Sequence, residues 1–143
     1  MSNPGGIIQF VDYRVINIEF TRPATYPIQD KEEYKYNIAH GKIERSDKSI
    51  QMNIIVRAFD ADSESYEEAQ TKVSVELAGI FKSTEDQKWD ERWDSNAIAI
   101  LYPYARSLIS SITAQTGRNP IIVPTINTFS LLQMEAERQS KTN

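Results

Sequence analysis

Residues 96–117 read NAIAILYPYARSLISSITAQTG, and this stretch decides how the rest of the chain must be arranged. Ile98, Leu101, Tyr102, Ala105, Leu108, Ile109 and Ile112 recur at the i, i+3, i+4, i+7 spacing of one helix face. Asn96 is the expected N-cap and Gly117 the expected C-terminal stop. Pro103 stands inside this helix, where proline removes a backbone N–H and collides with the preceding turn at a cost of about 3 kcal/mol. The helix is therefore expected to bend there or to be compensated. Ser107, Ser110, Ser111 and Ala114 are small, so a second helix or a sheet can approach closely along them. An apolar stripe this wide needs a layer to lie on, and the preceding residues supply one.

Val11, Tyr13 and Val15 alternate with Asp12 and Arg14; Ile16, Ile18 and Phe20 then alternate with Asn17, Glu19 and Thr21. Alternation indicates a strand, and the change of phase at Val15-Ile16 indicates a bulge. Residues 22–33, RPATYPIQDKEE, hold two prolines and a charge cluster and read as a long connection. Tyr34, Tyr36 and Ile38 give a short strand ending before His40-Gly41, and Ser46-Asp47-Lys48 either turns the chain or is crossed by a continuing strand. Ile50, Met52, Ile54, Val56 and Ala58 share one face of the next strand; Gln51, Asn53, Ile55, Arg57 and Phe59 share the other. Residues 60–65 form a polar turn, after which Val73, Val75 and Leu77 alternate with Lys72, Ser74 and Glu76 into Gly79-Ile80-Phe81. Short connections between successive strands favour an antiparallel sheet with one buried face. Asn119-Pro120 breaks the chain after the long helix, and Phe129, Leu132 and Met134 lie in a short final helix. Strands first and helices last give an α+β fold with helices on one face of an antiparallel sheet. The 143 residues suit one domain, with loose ends expected at 1–9 and 139–143.

Composition removes several function classes. No run approaches the roughly 18 apolar residues of a membrane span. MSNPGGIIQF lacks a basic n-region and a long apolar core, so no secretory signal is expected. Without cysteine there is no disulfide framework, thiol nucleophile or thiolate metal site, which fits the cytoplasm. A net charge of −4 disfavours a general nucleic-acid scaffold. His40 is the only histidine, and a triad or zinc site needs more partners; it reads as a strand-end or turn residue. Asp60, Asp62 and Glu64 begin like a calcium loop, but Ser65 stands where that loop needs glycine and Thr71 where it needs glutamate. Trp89 and Trp93 lie one helical turn apart, as do Asp90 and Asp94. Acid–base catalysis would need opposed environments for the two acids. The tryptophans are instead expected to anchor the lead-in to the helix, with the acids facing water. Gly5-Gly6 and Gly117-Arg118 lack the neighbours of a phosphate loop. No metal, cofactor or enzymatic activity is expected.

Leu101-Tyr102-Pro103-Tyr104-Ala105-Arg106 resembles the L-F-P-Y-A-R signature of the SecB family of export chaperones, at the same place in its long helix. Gly79-Ile80-Phe81 is similar to that family's G-I-F at the end of the last strand. Residues 18–23 resemble its first strand and the proline that opens its crossover loop. Ile126-Asn127 resembles the V-N of its P-V-N-F turn, with Pro124 one residue early and Thr128 in place of the aromatic. The resemblance runs from about Tyr13 to the last helix. It implies a four-stranded antiparallel sheet with a long and a short helix, assembled as a homotetramer (a dimer of dimers). It also implies ATP-independent holding of unfolded polypeptides in hydrophobic grooves. Singly, Tyr26, Tyr34, Tyr36, Phe59, Phe81 and Phe129 read as core or interface aromatics; as a set they suit a client groove, because Tyr26 and Tyr34 flank the Pro-rich crossover. Tyr102, Pro103, Ser107 and Ser110 are the expected subunit-interface residues. In exporting relatives, carboxylates on the first and last strands dock the motor SecA. The corresponding positions here are Asn17, Thr21, Lys72 and Ser74, none acidic, and the acidic tail is replaced by KTN, so electrostatic docking to SecA is expected to be weakened. SecB-like chaperones also accompany toxin–antitoxin pairs, and a dedicated client of that kind is the alternative expectation.

Overall fold

A computed structural model of the protein describes residues 8–24, 33–84, 86–117 and 119–125. Strands β1 (Ile8–Thr21), β2 (Tyr34–Ser46), β3 (Ser49–Asp60) and β4 (Lys72–Ser83) precede a 3-10 turn at Glu91–Trp93 and one long helix, α1 (Asp94–Ala114). The strands form one antiparallel sheet in the order β1-β4-β3-β2, so β1 and β2 are its edges. This is the α+β architecture expected, with its four-stranded antiparallel sheet and long helix. The residues of the expected final short helix (129–134), Ile126 to Thr128, Gly5-Gly6, Arg118 and most of the residues of the expected crossover lie outside the described residues.

β1 keeps an apolar face although its sequence does not alternate cleanly. Phe10 opposes Phe81, Tyr13 opposes Gly79, Val15 opposes Leu77, Ile18 opposes Val75 and Phe20 opposes Val73. Directly opposed residues share a face, so these side chains belong to the core side. Their spacing along β1 is two residues within each pair and three between pairs, and a bulge absorbs each three, at Val11 and at Ile16. The bulge at Val15-Ile16 was expected. The one at Val11 was not, and it takes Val11 off the face of Tyr13 and Val15, because Phe10 occupies the core position and stacks on Phe81 at 5.2 Å.

β2 does not end before His40-Gly41. It pairs with β3 from Tyr34 to Ser46, and Asp47-Lys48 turns the chain. His40 is therefore an exposed mid-strand residue rather than a strand-end one. The apolar face of β3 is long enough to hold a full-length partner, which a local reading of Gly41 does not reveal.

The core lies between one sheet face and α1. Ile50, Met52, Ile54, Val56 and Ala58 of β3, with Val73, Val75, Leu77 and Phe81 of β4, are all no more than 1% exposed. α1 lays Ala97, Ile98, Leu101, Tyr102, Ala105 and Ile109 against them. Gly79 permits the approach: a Cβ there would lie 2.7 Å from Leu101 Cδ2 and 2.9 Å from Phe81 Cε2. The two sequence motifs that looked separate, Gly79-Ile80-Phe81 and residues 101–106, therefore meet as one packing joint.

Asn96 does not cap the helix. The Asp90 carboxylate accepts from the Arg92 backbone N–H, and the 3-10 turn it caps runs straight into α1. At the other end Gly117 adopts φ +85°, as a helix stop requires. The helix continues through Pro103. Ala99, Pro103 and Tyr104 are exposed, so the carbonyl that the proline deprives of a donor is open to water.

Candidate functional site

The start of α1 is fastened to the sheet by a polar joint. Trp89 and Trp93 pack edge to face, with centroids 5.3 Å apart. Trp89 Nε1 donates to Asp94 Oδ1 at 2.8 Å, and Lys42 Nζ of β2 donates to Asp94 Oδ2 at 2.9 Å. Asp94 therefore does not face water as the sequence suggested; it joins the tryptophan anchor to an edge strand. Asp90 is bound instead by the Arg92 guanidinium, which lowers its pKa to about 2. Neither acid is arranged as a proton donor and acceptor for a substrate. Replacing Asp94 leaves a half-buried ammonium and an indole N–H without their acceptor, so Asp94→Ala should cost about 2 kcal/mol in urea unfolding.

α1 lies chiefly over β4 and β3, and it meets β1 through Tyr104, which stacks on Tyr13 at 4.5 Å. The remaining core-side residues of β1 form an open apolar margin. Val15 is 42% exposed and Ile18 44% exposed, although both oppose fully buried residues of β4. Half-buried Phe20 continues the margin under the Arg22 guanidinium, 5.0 Å above its ring. Arg22 in turn donates to the carbonyl and the hydroxyl of Thr116, fixing this corner to the end of α1.

The expected groove aromatics do not converge in the described subunit. Tyr26 and Phe129 lie outside the described residues. Tyr34 and Tyr36 are half-buried at the β2 edge on the core side, and the Tyr36 hydroxyl donates to the Ile122 carbonyl. Burial raises the Tyr36 pKa. Phe81 is fully buried between β1, β3 and α1, so no client reaches it while this packing lasts. Phe59 points to the opposite side of the sheet. Val15 and Ile18 were visible in the sequence only as ordinary strand hydrophobics; their exposure depends on where α1 stops covering the sheet.

Among the expected interface residues, Tyr102 is turned into its own subunit, 6% exposed, with its hydroxyl donating to the Pro124 carbonyl at 2.6 Å. Pro103, Ser107 and Ser110 do share a surface, lining an open cleft of about 320 Å³ with Arg106 and Ile122. Arg106 Nε holds the far wall by donating to the Val123 carbonyl.

The face of the sheet away from α1 carries Asn17, Thr21, Lys72 and Ser74, the four positions at which acids were expected to be missing. Asn17 opposes Glu76 there, and Thr21 opposes Lys72. The connection between β3 and β4 folds back over this region: Phe59, Tyr66 and Ala69 form a small second core. The Tyr66 ring lies under both the Arg57 guanidinium (4.6 Å) and the Lys72 ammonium (4.9 Å). Its hydroxyl donates to Glu19 at 2.6 Å, and burial followed by that carboxylate pushes the phenol pKa well up. Ser74 is buried. Two acids that sequence reasoning passed over, Glu19 and Glu76, are present on this face, but Glu19 holds Tyr66 and Glu76 accepts from Asn53. Asp60, expected in a polar turn, is a buried strand residue whose carboxylate accepts from the Thr71 backbone N–H.

The family model described as preprotein translocase subunit SecB matches residues 16–139. The chain belongs to the SecB family. The uncharacterized protein MJ0357 of Methanocaldococcus jannaschii is 28% identical over 131 residues, which cover 90% of this chain and 84% of that one. Among solved structures, the Mycobacterium tuberculosis Rv1957 SecB-like chaperone, in complex with a ChAD peptide from the Rv1956 HigA1 antitoxin, superposes with a TM-score of 0.59 at 14% identity. That match covers 85% of this chain and 93% of the other and establishes the likeness of fold. Among the described residues no helix is long and apolar enough to cross a membrane.

Proposed function

We propose that this SecB-family protein is an ATP-independent chaperone that holds non-native polypeptides in the cytoplasm, working as a homotetramer and catalysing no reaction. The observation that carries this reading is the open margin of β1. Val15 and Ile18 keep more than two-fifths of their surface in water although they oppose fully buried Leu77 and Val75 of β4. A surface of this kind gains on the order of 25 cal/mol per Å² of apolar area covered, before the cost of ordering the client. Such burial asks for no particular client sequence, and none of the surrounding side chains is arranged for bond breaking.

Two observations favour a dedicated client as the second reading. The positions equivalent to the SecA-docking acids are neutral or basic, and the Mycobacterium tuberculosis SecB-like chaperone was solved with an antitoxin peptide. Either reading needs the margin. Val15→Asp with Ile18→Asp is expected to lower the affinity for an unfolded client at least about tenfold, with unchanged far-UV circular dichroism, because both positions are exposed. Unchanged affinity would remove β1 from the client site. Equal capture of many unfolded chains would favour the general holdase, and one tight partner would favour the dedicated one.

A further inference from the structure

The ladders of the sheet leave three residues unpaired, Val11 and Ile16 in β1 and Arg45 in β2, and all three line the same cavity. It is an open groove of about 460 Å³ on the face away from α1. It reaches from one edge strand to the other across Ala78 and Ile80 of β4. Bulges re-aim side chains and recur beside functional sites because an uninterrupted ladder needs none. Here two bulges each add one aliphatic side chain to a groove, Val11 at 49% exposure and Ile16 at 52%, and the third adds an arginine.

The charge at the groove opposes that of the chain. The protein carries a net −4, yet the charged residues lining this groove are Arg14 and Arg45, from opposite edges of the sheet, and the single carboxylate of Asp12. Arg45 pairs with no carboxylate among the described residues. Arg14 meets Asp12 at 3.9 Å with both side chains largely in water, a contact worth little and easily exchanged. Aliphatic walls between two separated guanidinium groups match a polypeptide that alternates carboxylates with aliphatic side chains. Nucleic acid suits the site less well: its phosphates would find only two cations, in a chain whose net charge repels them.

We propose that this groove docks an acidic, aliphatic-bearing segment of a partner protein, with its carboxylates on Arg14 and Arg45 and its apolar side chains on Val11, Ile16, Ala78 and Ile80. The site lies across the sheet from Val15 and Ile18, so it stands or falls separately from client holding. The test is fluorescence anisotropy on the full chain with three labelled probes: a twelve-residue peptide of alternating glutamate and leucine, its lysine–leucine counterpart, and a short DNA duplex. The glutamate peptide should bind, weaken with added salt, and lose at least about tenfold in affinity with Arg14→Glu plus Arg45→Glu. Val15→Asp with Ile18→Asp should leave that binding unchanged. Equal or tighter binding of the lysine peptide or of DNA would overturn the proposal, as would an affinity that the double arginine reversal leaves unaltered.

Discussion

Leu101→Ala is expected to remove about 3–5 kcal/mol of subunit stability, read as a lower urea midpoint at unchanged slope. Leu101 is fully buried at the centre of the contact between α1 and the sheet. The size of such a loss depends on whether neighbours can fall into the vacancy. Here they cannot do so readily. Beneath the leucine is Gly79, which has no side chain to offer, and beside it Phe81 is held in a stack with Phe10. A loss below about 1 kcal/mol would mean that the helix does not bear on the sheet at this point.

Gly79→Ala is expected to cost about 1–3 kcal/mol from the opposite direction, by overfilling the same joint. The new Cβ would sit inside contact distance of Leu101 Cδ2 and Phe81 Cε2. The leucine tip has some freedom to turn aside; the phenylalanine, 0% exposed and stacked, has little. Combining the two substitutions should recover part of the damage, because Leu101→Ala removes one of the two clashing groups. The double-mutant cycle should then show a favourable coupling of about 1 kcal/mol. Strict additivity would contradict the packing described for these motifs.

The same joint explains which parts of the fold were legible in the sequence. Periodicity alone placed Ile50 to Ala58 in the core and Leu101, Ala105 and Ile109 on the buried helix face, and a change of phase located the bulge at Ile16. These are local signals, since a side chain's face follows from residue count. What escaped was decided by partners far along the chain. Val11 looked like a partner of Tyr13 until Phe81 claimed Phe10. β2 seemed to stop at His40 because nothing nearby shows that β3 pairs with it to the end. Asn96 has the chemistry of a helix cap, but the chain had already entered its first turn at Asp90.

The site was less legible than the fold for a related reason. Aromatic residues were the natural candidates for a client groove, yet Phe81 is core, Phe59 is covered by Tyr66 on the other face, and Tyr34 and Tyr36 sit at the far edge. Aliphatic Val15 and Ile18 are exposed on the core side of β1, and the proposed client site rests on them. Exposure on a nominally buried face measures how far the covering layer extends, and no local pattern encodes that reach.

Light scattering decides whether this SecB-family subunit holds non-native chains without spending ATP. A chemically denatured globular enzyme is diluted into buffer with an equimolar amount of the purified protein and no nucleotide. The expected result is that the rise in scattering is suppressed from the first minutes and that added ATP changes nothing. Scattering that follows the same course with and without the protein would show that it does not hold non-native chains.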